Sequence, residues 1–141
     1  MNLVMDSNIL FSALISGKAV YMDIFRSLHI YVPDFIFLEL EKYDQRILKK
    51  TKLSGQFRFF IKEIFSQITV IPKFAITNES YQRAFSLCED VDPKDTPYVA
   101  LSVDLNLPLW TNDKKLIEGL LKKGFTRFVT TDQIFKLVLN Q

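Results

Sequence analysis

Four carboxylates carry the chemistry this chain could perform: Asp6, Glu39, Asp95 and Asp113. Asp6 closes the apolar run Leu3-Val4-Met5 and opens Asp6-Ser7-Asn8, after which a second apolar pattern starts at Ile9. A buried strand that ends in an acid and turns into a helix puts that acid at the carboxyl edge of a parallel sheet, where open α/β folds bind ligands. Asp95 and Asp113 fall where later turns revisit that edge, and Glu39 sits inside Phe35-Ile36-Phe37-Leu38-Glu39-Leu40. Carboxylates packed together repel and raise each other's pKa values, so folding alone gives no reason to gather them. A hard cation such as Mg²⁺ or Mn²⁺, which prefers oxygen ligands, does give one.

Each acid also has a plainer role open to it. Asp is a favoured helix N-cap, and Asp6, Asp95 and Asp113 each precede a helical pattern; Asp92, in the same turn as Asp95, competes with it for that role. Capping and metal binding are compatible at Asp6, and Ser7 and Asn8 could support it by hydrogen bonding or hold a phosphate. Glu39 has apolar neighbours on nearly every side, so it either lies on a narrow exposed stripe with Lys42 and Tyr43 or points into a polar site. Burying it unpaired would be costly or would force it to protonate. Glu41 is the ordinary surface acid of that segment. What separates function from capping is the joint occurrence of the four acids after strands or at helix starts.

The elements that must position them alternate. Strands are expected over residues 2–6, 30–32, 69–71, 108–111 and 127–130. Helices are expected over 8–16, 18–29, 33–50, 57–68, 78–89, 96–106, 113–123 and 131–139. Pro33 is assigned to the first turn of its helix, and the clearest amphipathic spacing is Phe57, Phe60, Ile61, Ile64, Phe65 and Ile68. Short apolar strands joined by helices mean crossover connections, hence an α/β fold: a three-layer α/β/α sandwich with a mostly parallel central sheet. The 141 residues suit one domain over 1–141, although the helices before residue 70 could pack as a separate lobe.

Composition narrows the classes further. An apolar fraction of 48% with 24% charged residues fits a soluble globular protein, and thirteen Phe point to a substantial aromatic core. No apolar run is long enough to cross a bilayer, and no basic leader or small-residue cleavage signal precedes the first apolar run. The single cysteine, Cys88, cannot form an internal disulfide and is expected to face the core, which favours a reducing, cytoplasmic setting. The only histidine, His29, is expected to be structural, so a metal set built on imidazoles is excluded. Gly-x-Ser-x-Gly, P-loop and Gly-x-Gly-x-x-Gly patterns are absent from the sequence. The net charge is only +2, yet Lys42, Arg46, Lys49, Lys50, Lys52, Arg58 and Lys62 stand against the single acid Asp44 between 42 and 62. That block is either a solvated helix face or a positive field for a polyanion.

Taken in order, Asp6-Ser7-Asn8, Glu39 inside a helix, Asp95 five residues before Ala100, and Thr111-Asn112-Asp113 resemble the PIN-domain nucleases along essentially the whole chain. The motifs are short, and their ordered set is the specific feature. The resemblance implies a Mg²⁺- or Mn²⁺-dependent ribonuclease, often a homodimer, whose many bacterial and archaeal members are VapC-type toxins neutralised by a small antitoxin protein. By position it assigns Asp6, Glu39, Asp95 and Asp113 as catalytic metal ligands, with Ser7, Asn8 and Thr111 supporting. The basic stretch is not part of the family pattern. Lys42, Arg46, Lys49 and Lys50, with Lys114 and Lys115, are our own candidates for contacts to the RNA backbone. Two alternatives stand beside this: a PIN fold that binds RNA or protein without catalysis, and a phospho-receiver signalling domain. The receiver would need a paired acid after the first strand, a phosphoacceptor Asp after the third and a Lys after the last. Asp6 stands alone, and the last strand leads into Thr130-Thr131-Asp132.

Overall fold

A computed structural model describes residues 1–140, the side chain of Ser54 excepted. The strands are β1 (Asn2–Met5), β2 (His29–Pro33), β3 (Ile68–Ile71), β4 (Leu109–Trp110) and β5 (Phe128–Val129). The helices are α1 (Ser7–Ser16), α2 (Ala19–Ser27), α3 (Phe35–Lys50), α4 (Phe57–Gln67), α5 (Asn78–Cys88), α6 (Thr96–Leu105), α7 (Lys114–Leu121) and α8 (Thr131–Leu139). All pairings are parallel and the sheet order is β3-β2-β1-β4-β5. The chain therefore builds outward from β1 on one side, then crosses to the other side of β1 for β4. The crevice between the carboxyl ends of β1 and β4 is the topological switch point, the place where ligands bind in sheets of this kind. A receiver domain has the order 2-1-3-4-5, so this sheet is not one.

Side chains of β1 alternate between two buried layers, as strand geometry requires. Leu3 and Met5 join Leu10, Leu14, Phe25, Ile36, Ile64, Trp110 and Ile134 on one face, while Val4 joins Ala84, Leu87, Tyr98, Leu101 and Leu120 on the other. Both faces are thus covered, giving the expected α/β/α sandwich. Ile47 of α3 and Ile64 of α4 belong to the same layer as Leu3 and Met5, so the helices before residue 70 pack on this sheet and not as a separate lobe.

Several expectations are corrected. Pro33 ends β2, opposite Ile71, and does not open α3; the turn is made by Asp34, whose amide donates to Ile71 O at 2.9 Å and whose carboxylate accepts from the Lys73 amide at 3.1 Å. α2 stops at Ser27, and His29 begins β2 as an exposed residue whose amide bonds Met1 O. Ile68 is strand, so α4 ends one residue earlier than its spacing suggests. The aromatic core is smaller than thirteen Phe imply: Phe25 and Phe125 are buried, whereas Phe74 is 91% and Phe59 68% exposed. The buried centre is filled mainly by aliphatic side chains, while Phe11, Phe35, Phe57, Phe60, Phe65, Phe128 and Phe135 pack around it half-buried. Cys88 is buried as expected, and burial pushes its thiol pKa up to about 12, which leaves it inert.

Candidate active site

Pleat alternation decides where the acids go. After Val4 the next residue on the same face is Asp6, and after Leu109 it is Thr111, so both point toward the layer containing α6. The β1–β4 register carries on past the strands: the Asp6 amide donates to Trp110 O at 3.0 Å, and Thr111 Oγ1 donates to Asp6 Oδ2 at 2.9 Å. Asp6 occupies the N-cap position of α1, but its side chain makes no capping hydrogen bond. It is 2% exposed, and burial raises its pKa against the opposing pull of Thr111 and the Asn8 amide.

Glu39 lies one turn into α3, where its carboxylate reaches across to α1 and α6. Ser7 Oγ donates to Oε2 at 3.2 Å, and the Tyr98 hydroxyl donates to Oε1. Burial and Glu39 itself push the Tyr98 hydroxyl pKa upward, so it stays a donor. Glu39 too is held above its ordinary value, chiefly by burial and then by Asp6 and Asp92, against Tyr98 and Ser7. The exposed-stripe alternative for Glu39 is therefore not what the fold adopts.

Asp95 ends the 3₁₀ turn Pro93–Asp95 and precedes α6. Its side chain caps nothing, and among the described residues its Oδ2 is the one buried side-chain oxygen or nitrogen without a hydrogen-bond partner. Burial, followed by the charges of Asp6, Asp92, Asp113 and Glu39, pushes its pKa up to about 8. Five carboxylates thus share one electrostatic neighbourhood. Asp113 and Asp92 do fulfil the plainer role, accepting from the amides of Leu116 and Lys94, each at 3.1 Å. Thr111 Oγ1, besides bonding Asp6, accepts from the Asp113 amide at 3.1 Å and so ties the β4–α7 turn to β1.

Ser7, Asn8, Glu39, Asp92, Asp95 and Asp113 line the acidic end of a cleft of about 490 Å³ between α1 and α3, whereas Asp6, Thr111 and Tyr98 are buried and do not line it. Of the basic candidates, Arg46 and Lys50 line this cleft, and so does Lys94, which sequence reasoning had not singled out. Lys42 lies against the Tyr43 ring, Lys49 is on the exposed side of α3, and Lys115 lines a different cleft with Asp90 and Gly119. Lys114 is exposed at the start of α7. Among the described residues no three His, Cys, Asp or Glu side chains enclose a common point as a metal cage would. The donor set nevertheless suits a hard divalent ion: it is all oxygen, and one buried carboxylate oxygen lacks any partner. Tyr98 is the member that sequence reasoning missed, and Asp92, read there only as a cap, also joins the cleft. Tyr98 had a signal, since it stands three residues after Asp95 and shares its helix face.

A parallel sheet with acids at its switch point defines an α/β protein whose ligand-binding edge is acidic. The family model described as PIN domain matches residues 4–134, and the chain belongs to the PIN-domain family. PIN domains are generally nucleases and typically bind divalent metals, so a nuclease-type function follows at this level. No curated protein matches the chain. No helix among the described residues is long and apolar enough to cross a membrane.

Proposed function

We propose that this chain is a divalent-metal-dependent endoribonuclease that hydrolyses RNA phosphodiesters at the acidic end of the α1–α3 cleft. The supporting observation is Asp95: a buried carboxylate oxygen with no partner, beside four other acids that raise its pKa, is a costly arrangement that a bound Mg²⁺ or Mn²⁺ relieves. Asp6, Asp95, Glu39 and Asp113 would hold the metal directly or through water. When bound, the ion supplies a hydroxide from coordinated water near neutral pH and charge neutralisation at the phosphate. The protein's own part is orientation. Thr111 fixes the Asp6 carboxylate, Ser7 and Tyr98 fix that of Glu39, and Asn8 faces the cleft where a phosphate oxygen would lie. Arg46 and Lys50 hold the flanking backbone, which makes binding salt-sensitive.

Cleavage of single-stranded RNA in Mn²⁺ and in EDTA, with Asp6→Asn and Asp95→Asn alongside, tests this. Metal-dependent cutting that falls at least 100-fold in both variants is expected; equal activity in all three proteins would end the proposal. We further propose, from the family resemblance, a cytoplasmic VapC-type toxin role with a small antitoxin as partner and a homodimer as the working unit. Growth arrest on expression, relieved by the product of a small adjoining gene, is the signature to look for. A monomer by light scattering would remove the dimer.

A further inference from the structure

We propose that the far half of the α1–α3 cleft is a base-accepting subsite, in which Tyr43 and its apolar neighbours receive one unstacked base next to the scissile phosphate; this rests on the nuclease assignment above. The two helices run side by side in the same direction. Ser7 bonds Glu39 near one end, and at the other Thr51 Oγ1 donates to Leu14 O at 2.6 Å and the Lys52 amide to Ile15 O at 2.9 Å. The residues facing the cleft recur at helical spacing along both walls: Ser7, Phe11 and Ile15 on α1, and Glu39, Tyr43, Ile47 and Lys50 on α3. The trough therefore changes character over about 16 Å, the rise of the eleven residues from Glu39 to Lys50. It is acidic at Glu39, apolar and aromatic at Tyr43, and cationic at Lys50.

That gradient matches the parts of a nucleotide chain. The acid end takes a metal-bound phosphate, the middle offers ring and aliphatic surface, and the basic end meets the next phosphate. Tyr43 is set for stacking. Phe11 packs edge-on against it with centroids 5.8 Å apart, and Lys42 Nζ and Arg46 Cζ lie 5.3 and 5.6 Å from its ring centroid. The ring is thus propped by Phe11, and the exposed Lys42 and Arg46 side chains that lie over it would swing toward the RNA phosphates as a base takes their place. Base–aromatic stacking of this kind needs a single strand, because a duplex keeps its bases paired.

The test is fluorescence anisotropy with a labelled single-stranded RNA decamer in EDTA, using Asp95→Asn protein so that nothing is cut and repulsion is reduced. Adding Tyr43→Leu, which keeps apolar bulk but no ring, is expected to weaken binding about 10- to 100-fold, with Tyr43→Phe close to the parent. An abasic scan of the RNA reads the same contact without altering the protein: one position should lose comparable affinity in the parent and little more in Tyr43→Leu. Duplex RNA of the same sequence should be insensitive to Tyr43→Leu. Undetectable single-strand binding, an unaffected Tyr43→Leu protein, equal losses on single strand and duplex, or no sensitive abasic position would each overturn the subsite. The otherwise wild-type protein separates the two claims in Mn²⁺. Cutting that ignores Tyr43→Leu refutes the subsite alone, whereas Tyr43-dependent binding without cutting refutes the nuclease assignment alone.

Discussion

With one buried carboxylate oxygen unpartnered among four further acids, Asp95 should be a stability liability in protein stripped of metal. Asp95→Asn removes a charge without changing shape, so its metal-free melting midpoint at pH 8 should lie above wild type. A gain of about 1–2 kcal/mol would raise it by roughly 3–8 °C in a domain of this size. Mn²⁺ should raise the wild-type midpoint and barely move the variant; the same Mn²⁺ response in both proteins, by scanning calorimetry, would mean that Asp95 holds no ion. Tyr98 makes the complementary case. Tyr98→Phe keeps the buried ring and removes only the donor to Glu39 Oε1. It should cost about 1–2 kcal/mol by denaturant titration and lower the cleavage rate about 10-fold, because Glu39 then keeps Ser7 as its one side-chain donor.

Element ends, more than element interiors, set the precision of the site. Gly17 terminates α1 with φ +62°, and a Cβ there would meet the Leu53 side chain at 2.8 Å. Gly17→Ala should therefore destabilise by at least about 1 kcal/mol and widen the join between α1 and the end of α3. On the opposite layer, Thr77 caps α5 and shares Asp104 Oδ1 with Ser80, at 3.0 and 2.9 Å. Desolvation raises the Asp104 pKa, but the Thr77 amide and the Ser80 and Thr77 hydroxyls outweigh it and hold the carboxyl below its ordinary value. A depressed folded-state pKa means that this contribution is complete above the unfolded value near 3.8 and fades as pH falls through the folded one. Thermal melts of Asp104→Asn should accordingly lie below wild type near neutral pH and converge with it toward pH 3. Legibility in the sequence follows the same division. Asp6, Asp95 and Asp113 were visible because strand ends and helix starts leave local marks. Glu39 was visible because an acid in so apolar a run needs a polar destination. The helix-opening role expected of Pro33 failed because proline suits a strand end as well as a first helical turn. Tyr98 carried a local mark, its i+3 spacing from Asp95, whereas the gathering of Asp92 with the other acids and the selection of Arg46 and Lys50 from a longer basic block depend on how α1, α3 and α6 face one another, which no local pattern encodes.

At the scale of the whole molecule, the two buried layers share the thin sheet between them, and Trp110 sits within it. Trp110 is wholly buried, packs edge-on against Phe25 and donates through Nε1 to Thr131 Oγ1 at 3.0 Å. As the only tryptophan in the chain, it reports the centre of the fold directly. If the layers unfold together, its emission and the far-ultraviolet circular dichroism should give coincident urea transitions. Separated transitions would show two units and contradict the expectation of one domain over residues 1–141.

The placement of β4 beside β1 also has a temporal consequence. The hydroxyl that orients Asp6 belongs to Thr111, more than a hundred residues later in the chain. Asp113 arrives later still. A nascent chain halted before β4 has the first acid but not the hydroxyl that aims it, so the acidic cleft is assembled only after β4 has been made. If the proposed ribonuclease activity holds, this topology keeps it disarmed until β4 and the turn after it have been made.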